Sequence, residues 1–260
     1  MTADTITVET PAPFVALVRL ARPPVNALDL ATRHALVDVL DRLEEQEDVR
    51  AIVLTGQGHV FCAGADIREK QALQATAGQR ARADRLTRAL FFRLIDGRCP
   101  VIAAVNGAAM GAGFVLAACC DMILAAGTAQ FAMPEIDVGQ AGGASFLQRV
   151  LPPAKVRRML LTAERVPAEE LYRLGAVEAC LPQAELLPAA VALASTIAGK
   201  SPAAVRRMRG SFPAVEALGL RDGFRIEQDY TAELGSTADA AEARRAFLEK
   251  RSPVFGTKGS

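Results

Sequence analysis

Residues 101–127 carry a single charged side chain, Asp121. So long an apolar stretch has two physical homes, a bilayer or the interior of a large core. A bilayer span needs about 20 unbroken helical residues. Asn106 and the glycines Gly107, Gly111 and Gly113 instead divide this run into a strand at 101–105, a small-residue loop and a helix. Burial is therefore expected, and 260 residues, 51% of them hydrophobic and 23% charged, suffice for one large core with a smaller appendage.

The loop inside this run, Asn106-Gly107-Ala108-Ala109-Met110-Gly111-Ala112-Gly113, has a counterpart earlier in the chain. Beyond an apolar run at 51–54 comes Phe61-Cys62-Ala63-Gly64-Ala65-Asp66, and both loops read as helix starts. Without bulky side chains a ligand can approach the backbone closely, and N–H groups at a helix N-terminus point toward negative charge. Two such loops can aim two amides at one oxygen. That is the requirement of an oxyanion hole, in which each donor contributes ~10²–10³ in rate. Taken alone, Gly111-Ala112-Gly113 equally suits close packing of a helix on a strand.

Further strand patterns lie at 6–8, 14–20, 122–125 and 177–181. Helical patterns lie at 30–43, with Leu36, Val39, Leu40 and Leu43 on one face, and along an Arg-rich stretch at 67–95. Strands alternating with helices imply an α/β fold with a largely parallel sheet. After residue 182 only helical patterns remain, at 187–199, 203–208, 215–234 and 238–250, with Pro202 and Pro213 as boundaries. The expected division is an α/β core at 1–195 followed by a helical region at 196–260.

Thirty Lys and Arg against 29 Asp and Glu leave a net charge of +1, which argues against nucleic acid and against an anionic membrane surface as partners. The first five residues lack the basic and apolar segments of a secretory leader, so a cytoplasmic location is expected. Five cysteines without a C-x-x-C pair, and only His34 and His59 beside them, point to buried thiols and no metal site. His59 reads as a solvated turn residue. Ser145 lacks a nucleophile-elbow setting, and neither Gly56-Gln57-Gly58 nor Gly111-Ala112-Gly113 extends to a dinucleotide-binding G-x-G-x-x-G.

Four segments, Arg22-Pro23-Pro24-Val25-Asn26-Ala27-Leu28, the loop from Phe61 to Ile67, the loop from Asn106 to Gly113, and Phe131-Ala132-Met133-Pro134-Glu135-Ile136, resemble in order and spacing the enoyl-CoA hydratase/isomerase, or crotonase, superfamily. The ending Ala246-Phe247-Leu248-Glu249-Lys250-Arg251 is similar to that family's C-terminal helix. The resemblance implies a spiral of ββα units with a C-terminal helical region, assembled as a homotrimer or a dimer of trimers. It also implies an acyl-CoA thioester substrate, with coenzyme A as part of the substrate and no separate cofactor. The Ala65 and Ala112 amides fall at the two oxyanion-donor positions and Glu135 at a catalytic glutamate position. Arg22, Val25, Ala27, Ala63, Asp66, Ile67, Arg68, Gly111, Pro134, Gly142, Phe247 and Lys250 fall along the CoA and acyl path, Phe247 and Lys250 reaching it from the C-terminal helix. Asp66 is equally suited to capping a helix.

One departure from the family pattern matters most. Hydratases of this family hold water between two glutamates, and the first of these positions is Val115 here. A valine transfers no proton. A carboxylate partly desolvated beside an apolar pocket is held more basic and can move a proton between two carbons. Glu135 alone therefore suits double-bond isomerisation better than hydration. Decarboxylation, C–C hydrolysis and non-catalytic acyl-CoA binding are the alternatives. Asp137, expected to face away from Glu135 in an extended segment, and Gln140, near the acyl pocket, are the further polar candidates. The helical stretch at 82–95 and residues near Phe114 and Gly142 are expected to line the acyl end.

Overall fold

The computed structural model describes residues 5–74 and 77–256. Strands β1 (Ile6–Ala12) and β2 (Val15–Leu20) form an antiparallel hairpin. From β2 the sheet continues in parallel through β3 (Ala51–Gly56), β5 (Val101–Val105), β7 (Met122–Ala126) and β10 (Ala179–Leu181). Every residue of β3 and β5 is buried, as a parallel strand covered on both faces must be. The run at 101–127 is thus largely buried, with Asp121 and Gly127 at the surface, and no helix among the described residues is long and apolar enough to cross a membrane.

Helix α1 (Leu30–Glu45) makes the crossover from β2 to β3. The Asp29 side chain caps it by accepting from Thr32 N at 2.8 Å, and Leu36, Val39, Leu40 and Leu43 form its buried stripe. The Arg-rich stretch forms two helices rather than one, α2 (Ile67–Gln74) and α3 (Ala77–Asp96), while Ala75 and Thr76 lie outside the described residues. So do Met1 to Asp4, on which the leader expectation rests.

A second sheet has no counterpart in the periodicity of the sequence. Its strands β4 (Val60–Cys62), β6 (Ala108–Met110), β8 (Gln130–Ala132) and β9 (Val166–Pro167) run two or three residues each, too short for an alternating pattern to register. Each of β3, β5 and β7 turns within two or three residues into β4, β6 or β8. A repeating unit results, in which a long strand in the first sheet is followed by a short one in the second and then by helix: α2 and α3, α4 (Ala112–Ala118), or a 3₁₀ turn at Pro134–Val138. These are the expected ββα units. Buried asparagines clamp the first of these connections. Asn106 Nδ2 donates to Gly58 O at 2.9 Å, and Asn26 Nδ2 donates to Gln57 O at 3.0 Å and Val60 O at 2.7 Å.

Helices α5 (Ala144–Leu147) and α6 (Pro153–Thr162) lead from β8 to β9 within the second sheet, and α7 (Ala168–Arg173) returns the chain to β10 of the first. Helix α8 (Gln183–Ala198), which spans the expected 195–196 division, buries Leu186, Ala190, Ala194 and Ala198 along one face, the four-residue spacing of a helix lying on a sheet. Helices α9 (Pro202–Val215), α10 (Leu220–Gly235) and α11 (Ala238–Leu248) complete the chain. Pro213 lies inside α9 instead of bounding it. In the last turn a missing N–H costs only one bond of a helix about to end.

Asp121, the lone charge of its run, ties α9 to the core. Its Oδ2 accepts from Val101 N at 2.7 Å and from Arg209 Nε at 2.9 Å, and the two side chains are 16% and 3% exposed. Arg209 is buried but Asp121 keeps contact with solvent, so losing this charged hydrogen bond costs about 1.5–3 kcal/mol rather than the full penalty of a buried pair. Arg209→Leu should lower the unfolding free energy by roughly that amount, measured by urea titration with circular dichroism. Adding Asp121→Asn to that variant should restore part of the loss.

Candidate active site

Strands β4, β6 and β8 lie side by side in parallel, with Cys62 opposite Ala109 and Met110 opposite Ala132. The chain therefore leaves all three at the same edge of the sheet, and the residues that follow within three positions are Ala65, Ala112 and Glu135. Ligand sites at the carboxyl ends of adjacent parallel strands follow from this geometry.

The two small-residue loops touch through their backbones. Gly64 adopts φ +91°, and a Cβ on it would sit 2.6 Å from Met110 O and 3.3 Å from Ala112 N. Only a glycine allows that approach in that conformation. Gly111, at φ +52°, has its Cα against the Glu135 carboxylate, so that any added side chain would collide with it. Gly111 N donates to Ala132 O at 2.9 Å, which holds the second loop onto the end of β8.

On its other side the first loop pairs with residues 25–28. Ala63 N donates to Val25 O, Leu28 N to Gly64 O and Asp66 N to Leu28 O. The bridge between Leu28 and Ala65 thus uses the amides on either side of Ala65 and leaves the Ala65 N–H out of the pairing. Ala112 is the first residue of α4, so its N–H has no carbonyl one turn back within the helix.

Ala65, Ala112 and Glu135 line one cleft of about 560 Å³. Gly142 lines it too, as expected. Phe91, Met133, Phe146 and Val115 supply its apolar surface, and Arg33, Arg80, Asp84, Thr87 and Gln140 its polar surface. Val115 is on this lining, at the position where the resemblance implies a second glutamate in hydratases. A Cβ on Gly143 would come within 3.1 Å of Val115 Cγ2, so the valine methyl closes this part of the wall. Phe114, expected near the acyl end, points into the core and packs edge-on against Phe131, with ring centroids 5.0 Å apart.

The other sequence candidates lie around the cleft rather than on its lining. Arg22 is held in two ion pairs, to Asp29 Oδ2 at 3.0 Å and Asp66 Oδ2 at 2.9 Å. Asp66 also caps α2, its Oδ1 accepting from Arg68 N and Glu69 N. Val25, Ile67 and Arg68 are exposed, Ala27 is buried, and Pro134 opens the 3₁₀ turn that presents Glu135. Phe247, in the last turn of α11, is 81% exposed and Lys250 follows it in solvent, both outside the lining of this cleft. Asp137 sits in the 3₁₀ turn rather than in an extended segment and stays off the lining, whereas Gln140 is on it. Cys62 is no nucleophile. Burial pushes its thiol up to about 12, well past the opposing effect of the Gly64 N–H.

Composition and spacing gave no signal for Arg33, whereas Thr87 falls in the 82–95 stretch expected at the acyl end and Met133 in the segment at 131–136, neither singled out by itself. Each reaches the cleft from an element whose packing alone decides which face turns inward. Among the described residues, no group of three or more His, Cys, Asp or Glu is arranged to hold a metal ion.

A family model described as enoyl-CoA hydratase/isomerase matches residues 12–258. The chain is 37% identical over 247 residues to the carnitinyl-CoA dehydratase of Proteus mirabilis, covering 91% of this chain and 92% of that protein. It is 34% identical over 247 residues to the (7aS)-7a-methyl-1,5-dioxo-2,3,5,6,7,7a-hexahydro-1H-indene-carboxyl-CoA hydrolase of Mycobacterium tuberculosis, with 94% and 99% covered. The crystal structure of an enoyl-CoA hydratase from Bacillus anthracis superposes with a TM-score of 0.93 at 30% identity, covering 98% of this chain and all of that one.

Gly64→Ala should be strongly disfavoured, since alanine at φ +91° costs about 1–3 kcal/mol before any clash with Met110 O. The expected result is a lower midpoint in thermal unfolding, compared with Gly58→Ala. Gly58 also has positive φ, but nothing lies near its Cα, so the excess loss at Gly64 measures loop-to-loop contact.

Proposed function

This chain belongs to the enoyl-CoA hydratase/isomerase family, and from that premise we propose that it processes an acyl-CoA thioester through an enolate held by the Ala65 and Ala112 amides, with Glu135 as its single acid/base. The observation that carries this reading is the convergence of Ala65, Ala112 and Glu135 on one cleft, with the Glu135 carboxylate packed against the residue preceding Ala112.

The Glu135 carboxylate takes a proton from C2 of a 3-enoyl thioester. The electron pair of that C–H bond moves through the carbonyl, and the oxygen gains negative charge where two N–H donors meet it. The neutral carboxylic acid then returns the proton to C4, which completes a shift of the double bond to C2. One carboxylate serves both steps, and no water enters. Hydration needs a second group to handle the water proton, and at the position where the family's hydratases place it, Val115 presents a methyl group.

The relative named as a carboxyl-CoA hydrolase favours a second reading, C–C hydrolysis on the same scaffold, in which water replaces the proton shift. Gln140, on the cleft lining, is suited to orient that water. For the assembly we favour a homotrimer or a dimer of trimers. Exposed Phe224, Phe247 and Leu248 on the C-terminal helices suit burial between subunits, where Phe247 and Lys250 would reach a neighbour's CoA path.

Incubation with 2-enoyl, 3-enoyl and malonyl-type CoA esters in deuterated water, followed by mass spectrometry, separates the chemistries. Isomerisation exchanges hydrogen at constant composition, hydration adds water, and decarboxylation loses carbon dioxide. Conversion of a 3-enoyl ester without added water is expected, and Glu135→Gln should lower that rate by at least about 100-fold. Equal turnover in that variant would refute the assignment. Val115→Glu should raise hydration of a 2-enoyl ester relative to isomerisation, as read in the same product ratio.

A further inference from the structure

Arg33 is the one fully buried charged side chain on the cleft lining; it is 8% exposed. Three elements hold its guanidinium. Nε donates to the Asp29 carbonyl at 3.2 Å, Nη1 to Thr87 Oγ1 at 2.8 Å and Nη2 to Glu69 Oε2 at 2.9 Å. These bonds use three of its five N–H groups. Among the described residues no further bond takes up the second N–H of either terminal nitrogen. A rigid fork with donors to spare thus stands on the lining of the cleft that also holds Ala65, Ala112 and Glu135.

The neighbouring charges decide what those donors suit. Glu69 already neutralises Arg33, and along the lining Arg80 is offset by Asp84, 3.9 Å away. A further carboxylate would find no excess positive charge, whereas a neutral acceptor would complete the fork. The wall itself changes character along α3. Phe91, packed against Phe146 at 5.2 Å between centroids, is followed toward the N-terminus of the helix by Thr87, Asp84 and Arg80, about 17 Å in all. A plain alkyl chain along this stripe would strip water from the Arg33 donors without replacing it.

Building on the acyl-CoA reading above, we propose that Arg33 is a specificity-determining residue that donates to a hydroxyl or keto oxygen on the acyl chain, so that the enzyme prefers oxygenated acyl groups over plain ones. The test uses the full-length protein and non-reactive CoA thioethers whose chains are matched in length and end plain, as a ketone, as an alcohol or as a carboxylate, with dissociation constants from calorimetry. The wild type should bind the ketone or alcohol about 10- to 100-fold more tightly than the plain chain. Arg33→Met should erase that ratio by weakening the oxygenated ligands while leaving the plain one unchanged or tighter. Arg33→Lys, which keeps the charge opposite Glu69, should retain the fold and part of the ratio.

Equal binding of plain and oxygenated thioethers by the wild type overturns the proposal. Equal loss of all of them in Arg33→Met does so too, since it reduces Arg33 to a brace between helices. Tightest binding of the carboxylate overturns the choice of a neutral group. Failure to bind any thioether overturns the acyl-CoA reading along with this one, whereas equal binding overturns this one alone.

Discussion

The parallel register of three very short strands carries the whole arrangement. β4, β6 and β8 contribute few hydrogen bonds, yet their pairing brings three loops to one edge of a sheet at one height. The register is held from behind. Phe61, Phe114 and Phe131 are fully buried beneath these strands, and a shift of one residue would turn a phenylalanine outward and a small residue inward. Packing against a large core thus secures a site that strands of this length could not hold by themselves.

The site combines close backbone approach with few polar side chains. Gly64 and Gly111 let loop meet loop and loop meet carboxylate, so that main-chain amides lie close to the Glu135 carboxylate without intervening side chains. In the proposed mechanism these donors are fixed in place before any charge develops. Val115 belongs to the same economy of parts. It fills the wall beside Gly143 with a methyl group, and in the proposed mechanism this leaves Glu135 as the single carboxylate at the reacting carbons.

Around this centre the cleft is less apolar than its aromatic floor suggests. Arg33 and Thr87 are bonded to each other and, through Glu69, to α2, so the polar wall is as well braced as the apolar one. Its donors are held by α1, α2 and α3, so under the proposed role of Arg33 the choice of acyl group depends on how these helices pack.

Much was legible in the sequence because it is local. The nearly uncharged run at 101–127 had to be buried, the alternation of strands and helices had to give a mainly parallel sheet, and the stripe of α1 emerged with the expected residues on its inner face. The small-residue loops also stood out, since residue type and spacing mark them directly, whereas Glu135 was singled out only through the resemblance of its segment to the family. The second sheet did not stand out, because two or three residues leave no period to detect, and neither did the continuation of α9 through Pro213. The meeting of Gly64 with Ala112, of Gly111 with Glu135, and of Arg33 with Glu69 and Thr87 was settled only by tertiary structure. Such contacts join segments far apart along the chain, and their geometry exists only once the two sheets and the helices over them have packed together.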